Sequence, residues 1–321
     1  MGYVDEGWLA AAQSRIVDLV GSLAARLVRA RLRWAVTMAT GIGYNRQDQA
    51  HPLDETAVAI GLDALEGEEG GGQRAIATLL SYATHAVVLG PQNLLYSGDF
   101  PGAVARRLAA RRGGIGLYLQ GTCGDVDPVV YRDRGWGTGD FADTEAIGEK
   151  LAAAADDALS QTSATPQVRL GAAHKVVEAP VDAPPTGPEL ESIVADLRRQ
   201  EQRGRAEGNV VQERVALAML NWADCLRQAM ASGRLAARLS FEIFALRLNE
   251  LRLVGIPFET YSDIGLGIKR NLAPLQGVIM GYTNGLYGYF PTRWAKDQGG
   301  YGADTSCRWF PTLLTPIGYG A

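Results

Sequence analysis

The sequence predicts an α/β fold, a single layered domain in which a mixed β-sheet is flanked by helices. The first observation is that apolar, β-prone runs alternate with helical patterns along the 321 residues, an alternation typical of layered α/β domains. The second is composition, because 47% hydrophobic and 21% charged residues are typical of a globular chain with a sizeable core. The third is that the sequence shows neither an internal repeat nor a low-complexity tail.

The N-terminal part begins with a helix and continues with strands. A helix is predicted over residues 3–31, because apolar residues recur there at helical spacing. These residues are Leu9, Ile16, Val20, Leu23 and Leu27. Strands follow at 34–39 and 56–62, and the glycine- and glutamate-rich segment 66–73 is a turn. The next strand, 75–85, is the most apolar of them and ends in a histidine.

The rest of the chain continues the alternation. Asp99 is placed to cap a helix that extends to about Arg112, with Pro101 in its first turn. After it the pattern predicts a strand at 114–119, a helix at 142–161, a strand at 167–178, a helical stretch at 189–234 that breaks near 204–208, two neighbouring strands within 238–257, a helical segment at 264–269, a strand at 276–282 and a helical turn at 294–298.

Charge and hydropathy exclude several classes of partner. Lys and Arg total 31 against 35 Asp and Glu, so the formal net charge is −4. This balance leaves no basic footprint, and we expect no nucleic-acid partner. No apolar run is long enough for a transmembrane segment. Without a signal peptide, the default expectation is a cytoplasmic protein whose cysteines are reduced. The oligomeric state stays open.

His85 is the most informative side chain, because the sequence holds only three histidines. A strand that ends in an imidazole and a loop is how α/β enzymes present a metal ligand or a base. The alternative is a hydrogen-bonded histidine at a strand end with no role in chemistry.

Four separated segments resemble the catalytic domain of the neutral/alkaline, non-lysosomal ceramidase family. They are YNRQ at 44–47, ATHAVVLGPQNLLYSGDFPGA at 83–103, LQGTCGDVDP at 119–128, and GIPFETYSDIGLGIKR through GYTNGLYGYFPTRWAKDQGGY at 255–301. They occur in the order of the family and span most of the chain. The resemblance implies a ceramidase-like catalytic domain over 1–321, and a zinc-dependent amidase that cleaves the N-acyl bond of ceramide into sphingosine and fatty acid.

The resemblance also implies a role for each matching residue. His85 matches the second zinc histidine, Glu259 the zinc carboxylate and Tyr289 the zinc tyrosine. Tyr301 matches the tyrosine that steadies the oxyanion, and Arg46 the arginine that reaches the same site. Zinc takes nitrogen and oxygen ligands and lowers the pKa of a water to about 7. Such a water attacks an amide carbonyl, here of a small-molecule or lipid acyl amide.

Each of these residues also has an ordinary structural explanation. Glu259 could be a carboxylate favoured at a helix N-terminus. Tyr289 and Tyr301 lie in an aromatic-rich segment, where core packing accounts for most tyrosines. Arg46 could pair with Asp48, its neighbour in the loop.

The first departure from the family concerns its first zinc ligand, which lies in a His-x-His motif before the helix that opens this chain. Neither His51 nor His174 has the sequence context to replace it. We therefore expect a family member without its N-terminal portion and without the C-terminal β-sandwich of ceramidases proper. Zinc should then bind weakly, and the rival hypothesis is a ligand-binding remnant with little or no activity.

The second departure lies in the GDVDP segment, where ceramidases tend to carry Ser or Thr at the position of Asp127. Asp125 and Asp127 are candidate substrate-binding residues, although aspartates often simply cap loops. Cys123 in the same loop is a rival nucleophile, but it would need His85 as its base. We expect the zinc chemistry rather than a cysteine hydrolase.

Overall fold

The computed structural model describes residues 5–65, 74–310 and 313–319. Its helices are α1 (Glu6–Ala24), α2 (Asp99–Arg112), α3 (Val129–Arg134), α4 (Phe141–Ser160), α5 (Gly187–Ala206), α6 (Val210–Ala231), α7 (Ser262–Leu272) and α8 (Arg293–Gln298). Its strands are β1 (Ala30–Met38), β2 (Gly43–Asn45), β3 (Thr56–Ala64), β4 (Ala75–Tyr82), β5 (Ile115–Gln120), β6 (Val126–Pro128), β7 (Leu170–Pro180), β8 (Arg238–Leu248), β9 (Leu251–Gly255), β10 (Glu259–Thr260), β11 (Gln276–Met280) and β12 (Tyr289–Phe290). A π-helical turn at Tyr301–Thr305 follows α8. The turn predicted at 66–73 lies outside the described residues.

The strands form two four-stranded mixed sheets. Sheet I has the order β1-β3-β4-β5, in which β4 and β5 are parallel and the other neighbours antiparallel. Sheet II has the order β11-β9-β8-β7, and here β11 and β9 are the parallel pair. Two short pairs, β2 with β6 and β10 with β12, lie outside these sheets. The prediction of mixed β-structure flanked by helices is confirmed, with the strands divided between two sheets.

One core cluster fills the space between sheet I and the helices that cover it. Leu80 of β4 packs there with Phe100 and Leu108 of α2 and with Leu151 and Leu159 of α4, all fully buried. Burial of a leucine or phenylalanine side chain stabilises a fold by about 1.5–3 kcal/mol. This cluster therefore anchors α2 and α4 on the outer face of sheet I.

The opposite face of sheet I packs against sheet II. Val58 and Ile60 of β3 meet Leu251 and Leu253 of β9 and Val278 of β11 in one buried cluster. Phe241 of β8 and Ile279 of β11 point to the other side of sheet II, where they pack with Phe258 and with Ile268 and Leu272 of α7. The two sheets are thus stacked between helical layers. Strands buried on both faces explain the nearly continuous apolar runs of the sequence.

The first helix is shorter than its periodicity predicts. It ends at Ala24, and β1 begins at Ala30 because this residue pairs with Ala64 in sheet I. None of the residues of α1 is buried, so its predicted apolar face remains exposed in the described structure. Pairing with a neighbouring strand overrides the local helical pattern, which periodicity alone does not reveal. None of the described helices combines the length and hydropathy needed to cross a bilayer.

The capping role predicted for Asp99 is wrong by one position. The cap of α2 is Gly98, and Asp99 is the first helical residue, with a left-handed φ of 50°. Its carboxylate accepts hydrogen bonds from the backbone N–H of Phe100 (2.7 Å) and of Leu89 (2.9 Å). The side chain therefore ties the start of α2 to the segment that follows His85.

Candidate active site

The candidate site lies where the two parallel strand pairs end. His85 follows β4 and Cys123 follows β5 in sheet I, while Glu259 follows β9 and Tyr282 follows β11 in sheet II. Ligand sites of parallel strands collect at the carboxyl ends of the strands. Because the sheets are stacked, these ends from both sheets face one region of the molecule. Four loops far apart in sequence therefore deliver side chains to one place.

Backbone hydrogen bonds connect the loops of the two sheets. Gly281 donates to the carbonyl of Gln120 (3.1 Å), and Gly124 donates to the carbonyl of Thr260 (2.9 Å). Gly124 passes so close to the Glu259 segment that a Cβ on it would lie 2.4 Å from the Glu259 carbonyl oxygen. Only a residue without a side chain fits at this contact.

Replacing Gly124 by alanine should therefore destabilise the protein by about 2–3 kcal/mol and displace the Glu259 loop. The backbone on the other side cannot yield as a flexible side chain does. Chemical denaturation measures the change, and Gly187→Ala is the matched control, because a Cβ there meets nothing within 4 Å. We expect the control to stay within about 0.5 kcal/mol of the parent. Equal stability of the two variants would contradict the close packing of the loops.

A cavity of about 950 Å³ opens at this junction. Its walls combine aromatic and charged side chains with a few polar groups, as small-molecule sites do. The lining residues are Arg46, His85, Ala86, Val87, Gln120, Asp127, Trp136, Glu259, Tyr282, Tyr289, Tyr301 and Trp309. Six of the seven residues that the sequence singles out for the site are among them, and Asp125 is not.

Three donor groups converge on the floor of the cavity. His85 Nε2 lies 3.5 Å from Glu259 Oε2 and 3.5 Å from the Tyr289 hydroxyl. These separations exceed an ordinary hydrogen bond. Two ligands bonded to a tetrahedral zinc at about 2.0–2.2 Å lie roughly 3.3–3.6 Å apart. Both distances therefore fit a cation shared by the three groups.

The opposite edge of the His85 ring faces a thiol, which is a weak hydrogen-bond donor, and a phenol. Nδ1 lies 3.5 Å from Cys123 Sγ and 3.5 Å from the Tyr282 hydroxyl. Tyr282 is not among the candidate site residues that the sequence singles out. The feature of the sequence that could have indicated Tyr282 is its position just after a buried strand, the same position that His85 has. Its left-handed φ of 56° could not be predicted for a tyrosine.

Arg46 joins the loops across the cavity wall. Its guanidinium donates to the carbonyl of Gly124 (2.8 Å) and to the Tyr289 hydroxyl (3.2 Å), and it pairs with Asp127 (3.3 Å). The partner of Arg46 in the structure is thus Asp127 rather than Asp48, the alternative left open by the sequence. The same guanidinium lies 5.6 Å from the ring centre of Tyr301, within the range of a cation–π contact.

The two aspartates of the GDVDP segment have different surroundings. Asp127 lines the cavity beside Arg46. Asp125 lies beneath the cavity, where it accepts hydrogen bonds from Asn45 Nδ2 (2.7 Å), the Ser262 backbone N–H (2.7 Å) and the Ser262 hydroxyl (3.2 Å). Asp125 therefore fastens the start of α7 to β2, and of the two only Asp127 is placed to meet a ligand.

Burial sets the protonation of the central groups. Burial and then the nearby Arg46 charge lower the pKa of His85 to about 3, so the imidazole is neutral at physiological pH. Burial raises the pKa of Glu259, which hydrogen bonds from Tyr289 and Tyr282 partly oppose. Burial raises the pKa of Cys123 to about 12. A protonated, fully buried thiol is a poor nucleophile, which argues against the cysteine hydrolase.

The other two histidines lie away from the cavity. His51 stacks on Trp294 with ring centres 4.2 Å apart, and its Nε2 lies 2.5 Å from Asp263. His174 is exposed on β7 and pairs with Glu242. Within 5–65, 74–310 and 313–319, no group of three or more His, Cys, Asp and Glu side chains could hold a metal ion. The donor set at the site is therefore one imidazole, one carboxylate and one phenol.

Comparison with solved structures places this fold beside two ceramidases. The crystal structure of the neutral ceramidase from Pseudomonas aeruginosa matches with a TM-score of 0.61 and 15% identity, over 95% of this chain and 56% of that one. A ceramidase complexed with C2 matches with a TM-score of 0.59 and 15% identity, over 91% of this chain and 52% of that one. The fold is ceramidase-like.

The chain spans about half the length of these two ceramidases. No protein-family model matches the sequence, and no curated protein does. The similarity therefore establishes the ceramidase-like fold, while membership of the family and the loss of an N-terminal part stay predictions.

Proposed function

We propose that the protein hydrolyses an N-acyl amide in the cavity at the carboxyl ends of the parallel strands of the two sheets. The observation that supports this most is the convergence of His85, Glu259 and Tyr289, two contacts of 3.5 Å around one imidazole nitrogen. The solved structures of similar fold are ceramidases, which makes a lipid amide the first substrate class to test.

A zinc ion held by His85, Glu259 and Tyr289 would supply Lewis-acid polarisation of the carbonyl and activation of a water. The neutral imidazole of His85 offers a free lone pair, since burial and Arg46 keep its pKa near 3. Glu259 is the only carboxylate among the three donors. Burial and then the Glu259 charge raise the pKa of Tyr289, so that its hydroxyl is protonated at neutral pH and would bind the metal as a phenol; the hydrogen bond from Arg46 (3.2 Å) opposes part of this rise.

Arg46 and Tyr301 are the groups that would stabilise negative charge on the amide oxygen. The guanidinium of Arg46 is permanently charged and is held by Gly124, Tyr289 and Asp127. Tyr301 lines the cavity and remains 48% exposed. Burial and the nearby Glu259 charge raise the pKa of its phenol, so that it stays protonated and able to donate at neutral pH. Each such donor contributes roughly 3 kcal/mol to barrier lowering.

The second candidate is a ligand-binding protein with weak or no catalysis. It is favoured by the single imidazole at the site and by the lack of a group of three or more His, Cys, Asp and Glu metal ligands in the described part of the chain. One nitrogen and two oxygens are a weak zinc set. In this alternative the cavity binds an acyl amide without turning it over.

Metal content and turnover together test the proposal. We expect the dialysed protein to hold well below one zinc per chain, and added zinc to restore binding and the hydrolysis of fluorogenic acyl amides of several chain lengths. His85→Asn should abolish the zinc uptake, and His51→Asn is the control that leaves it intact. One tight zinc per chain after dialysis would refute the weak site. Binding of amides without turnover at saturating zinc would favour the ligand-binding candidate.

A further inference from the structure

The loop between His85 and α2 carries an unusual group of exposed apolar side chains. Leu94 is 93% exposed, Leu95 is 69% exposed and Tyr96 is fully exposed. We call these three the apolar tip. Single exposed apolar residues are common, but a contiguous group of large ones commonly marks an interaction surface.

The loop holds the tip outward through its own hydrogen bonds. Asn93 Nδ2 donates to the Leu95 carbonyl (3.0 Å), and Asn93 Oδ1 accepts from the Leu95 N–H (3.2 Å). The base is closed where Asp99 accepts from the Leu89 N–H (2.9 Å). The backbone of the tip is thus satisfied locally, while its side chains are left to the surroundings.

The apolar tip continues into the mouth of the cavity. Val87, two residues before the base of the loop, lines the cavity, and so does Trp136, which is 72% exposed. The base of the loop touches the segment that follows Trp136, because a Cβ on Gly90 would lie 2.1 Å from the carbonyl oxygen of Gly137. Leu89 also forms a β-bridge with Gly139. The loop that carries the apolar tip is therefore joined at its base to the segments that line the cavity entrance.

We propose that the apolar tip docks the protein on a lipid bilayer, so that a lipid amide enters the cavity from the membrane. The part of this proposal in which the lipid amide enters the cavity rests on the proposed function. Three side chains, even when nearly fully exposed, offer less than the roughly 800 Å² that each partner contributes to a stable protein interface. Leucine beside tyrosine, apolar with one polar hydroxyl, suits the boundary between acyl chains and head groups.

The charge of the protein favours apolar rather than electrostatic docking. With a formal net charge of −4, the chain has no general attraction to anionic membranes. The basic residues of α3 next to Trp136 are engaged, since Arg132 pairs with Asp133 and Arg134 with Asp143. Binding should therefore occur on neutral lipids and persist at high salt, where charge-driven adhesion is screened.

The exposed helix α1 provides a matched control at the other end of the sheet. It precedes the start of β1, where Ala30 pairs with Ala64 next to the start of β4 at Ala75. The cavity lies beyond the opposite end of β4. The end of α1 that leads into β1 is thus separated from the cavity by the length of a strand.

The test is sedimentation of the full chain with phosphatidylcholine vesicles. A variant with Leu94→Ser, Leu95→Ser and Tyr96→Ser should partition at least about tenfold more weakly, because it removes most of the apolar area that would enter the membrane. Its melting temperature should not change, since the three side chains make no core contacts. High salt should leave the binding of the parent protein intact.

The control variant carries Ile16→Ser, Val17→Ser and Val20→Ser on α1, each at a position more than half exposed. It should bind vesicles like the parent. The proposal is overturned if the parent ignores neutral vesicles, if the tip variant binds as well as the parent, or if the α1 variant loses binding instead. A dimer that the tip variant abolishes would assign the tip to a second copy of the chain.

Turnover separates this proposal from the proposed function. A water-soluble short-chain acyl amide should be hydrolysed equally by parent and tip variant, whereas a long-chain amide embedded in vesicles should be hydrolysed more slowly by the variant. If neither amide is hydrolysed but vesicle binding still depends on the tip, the docking stands and the hydrolase proposal fails. If both amides are hydrolysed and the tip variant equals the parent in vesicle binding and turnover, the hydrolase proposal stands and the docking proposal fails.

Discussion

Replacing Arg46 by methionine should lower kcat/KM for an acyl amide by about a hundredfold to a thousandfold, the cost of one lost donor to the oxyanion. Methionine keeps much of the apolar stem but neither charge nor donors. The loss should fall mainly on kcat, because the interaction strengthens as charge develops on the carbonyl oxygen. Steady-state kinetics with zinc present measures it.

The same substitution also leaves a buried carboxylate without its partner. Asp127 has 7% of its side chain exposed and pairs with Arg46, which has 25% exposed. Removing the cation should cost roughly 2 kcal/mol of stability, less than for a fully buried pair because Arg46 is partly solvated. Adding Asp127→Asn to Arg46→Met should restore most of that stability but none of the activity. Recovery of activity in the double variant would show that Arg46 only supports the loop.

The stability of the protein should fall as the pH drops below about 6.5, and His85 should account for much of the fall. The pKa of His85 is about 3 in the folded protein, against 6.5 for an unperturbed histidine such as that of the unfolded chain. Between these two pH values the unfolded chain binds a proton that the folded protein does not. Lowering the pH therefore favours the unfolded chain and decreases the free energy of unfolding. The expected loss is about 1.4 kcal/mol for each pH unit, or about 5 kcal/mol near pH 3.

Denaturant unfolding of parent and His85→Asn across this window tests the sign as well as the size. Above pH about 6.5 His85 is neutral in both states and contributes no slope. Below it, the parent should lose stability faster than the variant. Comparing the two also removes the opposing effect of Glu259, whose raised pKa favours the folded state as the pH falls. His174→Asn, an exposed position, should follow the parent. Parallel curves for parent and His85→Asn would mean that the imidazole is solvated.

Local sequence patterns predicted much of the fold because periodicity and strand ends are local properties. The break between α5 and α6 and the pair β8–β9 were predicted from such patterns, and the structure has both. The predicted helix 3–31 extends too far at its C-terminal end, because the pairing of Ala30 with Ala64 decides where β1 begins; residues 3 and 4 lie outside the described part of the chain. A strand register depends on a segment more than thirty residues away, which no local window contains.

The candidate site also combines residues that the sequence indicates with an arrangement that only the tertiary structure provides. The residues of the chain alone singled out His85 as the end of an apolar strand, and a resemblance across four segments added Arg46, Glu259, Tyr289 and Tyr301. Their meeting depends on the stacking of two sheets, which directs the carboxyl ends of two parallel pairs toward one cavity. Nothing in a single strand encodes which sheet covers it.

Burial is the second property that the fold alone supplies. The neutral imidazole of His85 and the protonated thiol of Cys123 follow from the removal of water around them. The contribution of Tyr282 and the position of Asp125 beneath the cavity arise in the same way, from neighbours distant in sequence. The amino-acid order thus carries the elements and the reactive side chains. Long-range packing sets the distances and the dielectric environment on which their chemistry depends.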